Sequence, residues 1–173
     1  MIAKALLGLI IIFGGGYLGM IYASRFDSRV RQLEAFRTAL SQLEFDIRFL
    51  SLPLTEALEK VAASQTGSIG KIFRETARDM TQNKSVRISC VWEAAVQKYR
   101  CQLCLTEQDW QAVNSFSHSL GSGDTESEIG NIRAAQMRIS VAEEEARAQS
   151  RKNVKLYKGL GLLSGIFAVI LLF

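Results

Sequence analysis

At 173 residues the chain is long enough for one domain of ordinary size, and 48% hydrophobic with 22% charged residues excludes a disordered protein. Its 21 Lys and Arg against 17 Asp and Glu leave a net charge of +4, and that excess stands at the edges of two uncharged apolar runs. Anionic lipid headgroups explain such placement; nucleic acid is not an expected partner.

The first run, residues 5 to 23 (ALLGLIIIFGGGYLGMIYA), carries no charge and matches the ~20 apolar helical residues that a bilayer core of ~30 Å requires. It is read as an N-terminal transmembrane helix over 1–23. A cleaved signal peptide is the alternative, but the run exceeds the usual ~7–15 residues of an h-region and arginines follow at once. Within it, Gly14, Gly16 and Gly19 fit G-x-G-x-x-G, the dinucleotide fingerprint, and Glu34 stands at a suitable distance. The fingerprint needs a strand before it and a βαβ unit around it, and no alternating pattern supplies either, so no cofactor is expected. Gly15 and Gly19 also form G-x-x-x-G, which lets a partner helix approach closely; the frequency of glycine in membrane helices is an equal explanation.

From Leu33 the apolar residues fall at Leu33, Phe36, Leu40, Leu43, Ile47 and Leu50, in alternating steps of three and four, the seam of one helix face. This helix runs directly out of the first apolar run and stops near Pro53, which opens a second helix through Ala57, Leu58 and Val61. Gly67 and Gly70 break the pattern before Ile72, Phe73 and Met80. A polar stretch, TQNKS, precedes a helix with Val86, Val91, Trp92, Ala95 and Tyr99. Thr106 with Asp109 suggests a cap ahead of Trp110, Val113 and Phe116, and LGSGDTES reads as a turn, with Gly121 ending one helix and Ser122 or Asp124 starting the next. The last helix repeats the stepping at Ile132, Ala135, Ile139, Ala142 and Ala146 and leads to the second run.

That run, residues 159 to 173, rises only about 22 Å, so it spans if Lys155 and Lys158 snorkel or the bilayer thins. It carries a second G-x-x-x-G at Gly161 and Gly165. Only Lys4 precedes the first run, whereas Arg25, Arg29 and Arg31 follow it and Arg147, Arg151, Lys152, Lys155 and Lys158 precede the second. The positive-inside rule then puts the middle of the chain in the cytoplasm. The expected organisation is all-α: a transmembrane helix over 1–23, a cytoplasmic bundle of about six helices over 24–157, and a second transmembrane helix over 158–173. The first and last bundle helices continue into the anchors.

Few side chains suggest chemistry. Cys101 and Cys104 form C-x-x-C, but a structural zinc site usually takes two such pairs or a pair plus histidines, and besides this pair the chain offers only Cys90 and His118. A thioredoxin-like role wants an adjacent βαβ unit, so buried structural thiols are expected. His118 stands in no recognised nucleophile arrangement. Glu143, Glu144 and Glu145 spread around a helical turn and read as a solvated face, with Glu143 and Arg147 spaced for an ion pair. A phosphate loop around Lys71 fails twice, Gln65 standing for the first glycine and Ile72 for the hydroxyl residue. No catalytic residue, metal or cofactor is expected.

Taken together, the N-terminal anchor running into RQLEAFRTALSQLEFDI (31–47), then LPLTEAL (52–58), VWEAAV (91–96), FSHSLGSGD (116–124) and KNVKLYKGLGLLSGIFAVILLF (152–173) resemble the stage III sporulation protein AB family of endospore-forming bacteria. Order and spacing carry the resemblance over nearly the whole chain. It departs after the LG-x-x-D turn, where Glu128 and Ile129 stand in place of an expected glutamine. The resemblance implies a non-catalytic membrane platform in the channel complex between mother cell and forespore, similar to the cytoplasmic domains of type II secretion and type IV pilus inner-membrane platforms. It implies a secretion-type ATPase, stage III sporulation protein AA, as partner, together with other membrane proteins of the stage III sporulation A operon, and it leaves room for a homo-oligomer. It places the chain in the outer forespore membrane, on the mother-cell side. The alternatives are a platform of a general secretion or pilus machine, and a membrane-tethered thiol redox or metal protein using Cys101 and Cys104.

Overall fold

The computed structural model describes residues 2–82, 87–117, 120 and 125–172, with side chains over 24–82, 87–117, 120 and 125–153. Those residues form six α-helices and no strand: α1 (Ile2–Leu50), α2 (Leu54–Ser64), α3 (Gly67–Gln82), α4 (Ile88–Tyr99), α5 (Glu107–Asn114) and α6 (Thr125–Leu172), with a 3-10 turn at Arg100–Gln102. The all-α class and the helix number agree with the periodicity. The chain groups into two compact units, Arg31–Glu144 and a second made of Met1–Val30 with Glu145–Phe173, and α1 and α6 contribute to both. Among the described residues no helix is long and apolar enough to cross a membrane. The two expected anchors lie outside the described side chains, although the backbone there is helical as part of α1 and α6.

In the unit Arg31–Glu144, α1 stops short of Pro53. Proline disfavours a helical residue before it, and the chain turns at Ser51, whose φ of 50° is left-handed, while the Leu52 amide donates to the Asp46 carbonyl at 3.2 Å. Pro53 then stands at the N-cap of α2, its carbonyl accepting from the Ala57 amide at 3.0 Å. The two glycines expected as a break belong to α3. Gly67 opens it with φ of 68°, and Gly70 lies inside it because a Cβ there would come within 2.3 Å of the Gln65 carbonyl oxygen. Glycine thus allows α3 to fold back against the end of α2. The α5 cap is present as a reciprocal pair: the Asp109 amide donates to the Thr106 hydroxyl at 3.3 Å and the Thr106 amide to the Asp109 carboxylate at 2.8 Å. Val86, His118, Gly121, Ser122 and Asp124 lie outside the described residues.

The core of this unit is organised by a line of rings. Trp110 of α5 meets Phe36 of α1 edge-on at 6.1 Å; Phe36 meets Phe73 of α3 at 6.4 Å; Phe73 meets Trp92 of α4 at 5.2 Å; and Trp92 meets Phe116 at 4.7 Å. All five rings are buried, and offset or edge-to-face contacts of this kind add stability beyond area burial. The one polar atom of Trp92 is satisfied, since its indole N–H donates to Asn114 Oδ1 at 2.9 Å. Phe36 therefore links α1 to both α3 and α5. Phe36→Ala should lower unfolding stability by about 3–5 kcal/mol. Phe49→Ala, at a ring 63% exposed, should change it by about 0.5 kcal/mol or less, as read by urea unfolding.

Candidate functional site

Leu33, Phe36, Leu40, Leu43 and Ile47 of α1 are buried, as are Ile132, Ala135, Ile139 and Ala146 of α6. Ala142 is only half-buried, and its neighbour Glu143 takes the inward place. The reason lies in the period. Ile132, Ala135 and Ile139 are each followed eleven residues on by a buried side chain, Glu143, Ala146 and Ser150, which keeps closer to the straight-helix period than a heptad does. Gly15, Gly19, Gly161 and Gly165 lie outside the described side chains.

Polar groups set the register of the two long helices within each unit. In Arg31–Glu144, Arg37 Nε donates to Glu143 Oε2 at 2.9 Å, with the glutamate side chain 8% exposed and the arginine 40%. Glu44 accepts from Arg133 Nε at 2.6 Å and from Gln136 Nε2 at 3.1 Å. In the other unit, Arg29 Nη1 donates to Gln149 Oε1 at 2.7 Å, and Ser150 Oγ to Asp27 Oδ1 at 2.6 Å. A buried carboxylate is tolerated only when paired, and removing its partner leaves an uncompensated charge. Asp46 is a further buried carboxylate: Lys60 of α2 donates to its Oδ1 at 2.8 Å, whereas Oδ2 is buried and without a partner. The sequence assigns Glu143 to a solvated face and Arg29 only to the cations flanking the first apolar run, and it does not single out Asp46 or Ser150. Their signal was position, since each falls on the inward stripe of its helix. Glu144 and Glu145 are exposed, as expected for the solvated face.

The cysteines correct an expectation. Cys101 and Cys104 are exposed rather than buried, Cys101 sitting in the 3-10 turn and Cys104 in the segment before α5; Cys90, on α4, is exposed as well. The Cys104 amide is held by Gln32 Oε1 at 2.7 Å. Among the described residues no group of three His, Cys, Asp or Glu side chains could hold a metal ion.

Concave features and exposed apolar side chains mark the surface of the Arg31–Glu144 unit among the described residues. A cleft of about 390 Å³ lies between the α1–α2 corner and the start of α6, with Ile47, Leu52 and Leu54 on its walls and the buried Glu128, the residue departing from the expected glutamine, at its edge. A groove of about 240 Å³ between α3 and α4 is lined by Lys71, Arg74, Arg78, Glu75 and Tyr99. There Lys98 of α4 bridges to Glu75. The Glu75 carboxylate, accepting this hydrogen bond, holds the Lys98 ammonium pKa above its ordinary value, against the opposing effect of desolvation. Phe45, Phe49 and Leu50 are exposed at the end of α1, with the Arg48 guanidinium 5.1 Å from the Phe49 ring centre, and Met137 and Val141 are exposed on α6. Large exposed apolar side chains of this kind are candidates for partner contact.

The family description for stage III sporulation protein AB matches residues 4–173, both apolar runs included. The chain belongs to the stage III sporulation protein AB family. It is 27% identical over 169 residues to stage III sporulation protein AB of Bacillus subtilis (strain 168), covering 98% of each sequence. A solved structure of stage III sporulation protein AB is similar in fold, with a TM-score of 0.64, 24% identity, and coverage of 71% of this chain and 96% of that one. Family membership supports a sporulation-related function. The polar rungs give this family member a test of its helix pairing. Glu143→Ala should cost about 1.5–3 kcal/mol by removing the charged hydrogen bond to Arg37 from the seam, whereas Glu145→Ala on the exposed side should cost about 0.5 kcal/mol or less, both measured by urea unfolding.

Proposed function

We propose that this chain is a non-catalytic, membrane-anchored platform component of the channel complex between mother cell and forespore. The observation that carries the reading is the family match over residues 4–173, which takes in the helical unit and both terminal apolar runs. The cations flanking those runs support anchoring in the membrane with the unit Arg31–Glu144 in the mother-cell cytoplasm, against the outer forespore membrane. The chain acts as a structural part. A cytoplasmic ATPase, stage III sporulation protein AA, docks on its exposed helical surface, and nucleotide hydrolysis is the ATPase's work. Other membrane proteins of the stage III sporulation A operon meet it at the membrane. Through α1 and α6, each an unbroken helix of 49 and 48 residues, displacement at the docked surface reaches the anchors, since packed helices transmit strain.

A clean deletion in the source organism tests this. Vegetative growth should be normal and forespores should be engulfed but then fail. The wild-type sequence should restore spores, and so should Cys101→Ala/Cys104→Ala, because the thiols have no part in a scaffold. Unimpaired sporulation of the deletion strain would remove the platform reading, and failure of the thiol variant to complement despite normal accumulation would favour thiol chemistry instead.

A further inference from the structure

The groove between α3 and α4 is a concentration of positive charge with a defined geometry. Lys71, Arg74 and Arg78 stand at successive steps of three and four along α3, so they share one face and extend over about 10 Å of helix. The carboxylate in their midst, Glu75, is neutralised from the other side by Lys98 of α4, and its second oxygen, Oε2, is buried and accepts no hydrogen bond. Arg74 is fixed in place, one Nη2–H donating at 3.3 Å to the Ala62 carbonyl at the end of α2, where a cation also complements the helix dipole. Tyr99 forms the opposite wall, with the Lys71 and Lys98 ammonium groups 5.9 and 5.6 Å from its ring centre. Arginine and tyrosine side by side in a concave surface are the residue types that dominate protein interfaces.

From this geometry we infer that the α3–α4 groove is the docking site for an acidic segment of the cytoplasmic ATPase, an inference that rests on the platform reading above. Charge complementarity identifies the occupant's chemistry. A single phosphate or headgroup cannot meet three cations spread over about 10 Å, whereas carboxylates spaced along one segment of a protein can pair with each in turn. The two guanidinium forks suit bidentate pairing with carboxylates, and Lys98 removes the repulsion that Glu75 would otherwise exert on them. Cations at such an edge raise the rate of encounter and make the complex sensitive to salt.

The test measures binding of the full chain in detergent micelles to purified stage III sporulation protein AA at low and high salt. The wild-type chain should bind with an affinity that falls as salt rises. Lys71→Glu/Arg78→Glu, which leaves the Arg74 contact with α2 intact, should weaken binding about tenfold or more while thermal unfolding stays unchanged. Arg74→Gln, as a second variant, should weaken it in the same direction. Equal binding by the wild type and the double variant overturns this inference and leaves the platform reading standing. No binding by the wild type overturns both. Loss of binding to phosphatidylglycerol vesicles, or loss of self-association, with ATPase affinity unchanged, also overturns it by assigning the groove to lipid or to a second copy of the chain.

Discussion

The pairing of α1 with α6 is the constraint from which the rest of the Arg31–Glu144 unit follows. These helices are far apart in sequence, and the shorter helices lie between them along the chain; in the closed unit Leu33 through Ile47 and Ile132 through Ile139 have their apolar stripes buried, and hydrogen bonds join the two helices directly. Apolar side chains alone would tolerate sliding by a turn. Arg37 with Glu143, and Glu44 with Arg133 and Gln136, admit one register, because any slip would leave the buried Glu143 carboxylate without its guanidinium. Placing polar groups in a seam costs stability compared with an apolar pair of similar volume and gives alignment in exchange. Alignment is what a part that passes displacement along two helices requires.

On that frame the smaller helices are fastened by short-range devices. Ser51 and Pro53 end α1 and start α2 within a few residues, Gly70 lets α3 return against the end of α2, and the Thr106–Asp109 pair starts α5. The aromatic line from Trp110 through Phe36, Phe73 and Trp92 to Phe116 then ties α1, α3, α4 and α5 into one core. The same packing brings Lys98 of α4 to Glu75 of α3 and leaves the α3 cations facing outward. The groove is thus a by-product of the core's geometry, a charged surface built from side chains of α3 and α4.

Much of this was legible in the sequence, and the failures have physical causes. The α1 seam could be read because its large apolar residues keep a strict alternation of three and four, and the α5 cap because Thr106 and Asp109 make a local signature. Glu143 was hidden among three consecutive carboxylates, only one of which faces inward, on a helix whose buried stripe follows an eleven-residue spacing. Gly70 read as a break because its role depends on the Gln65 carbonyl oxygen, a contact created by the fold. Cys101 and Cys104 read as buried from residue type alone, whereas the 3-10 turn and the segment before α5 put them outside. The spacing of Lys71, Arg74 and Arg78 was visible, but the neutralisation of Glu75 by Lys98 required the packing of α3 on α4.

The central claim is that α1 and α6 are coupled through their polar rungs, and a double-mutant cycle on Arg37→Ala, Glu143→Ala and the two together tests it most directly by urea unfolding. The account predicts strongly non-additive losses, with a coupling of about 1.5–3 kcal/mol, as expected for a hydrogen bond from a half-exposed guanidinium to a buried carboxylate. Additive losses would mean that the two side chains act independently and that the register of the long helices is set by something else.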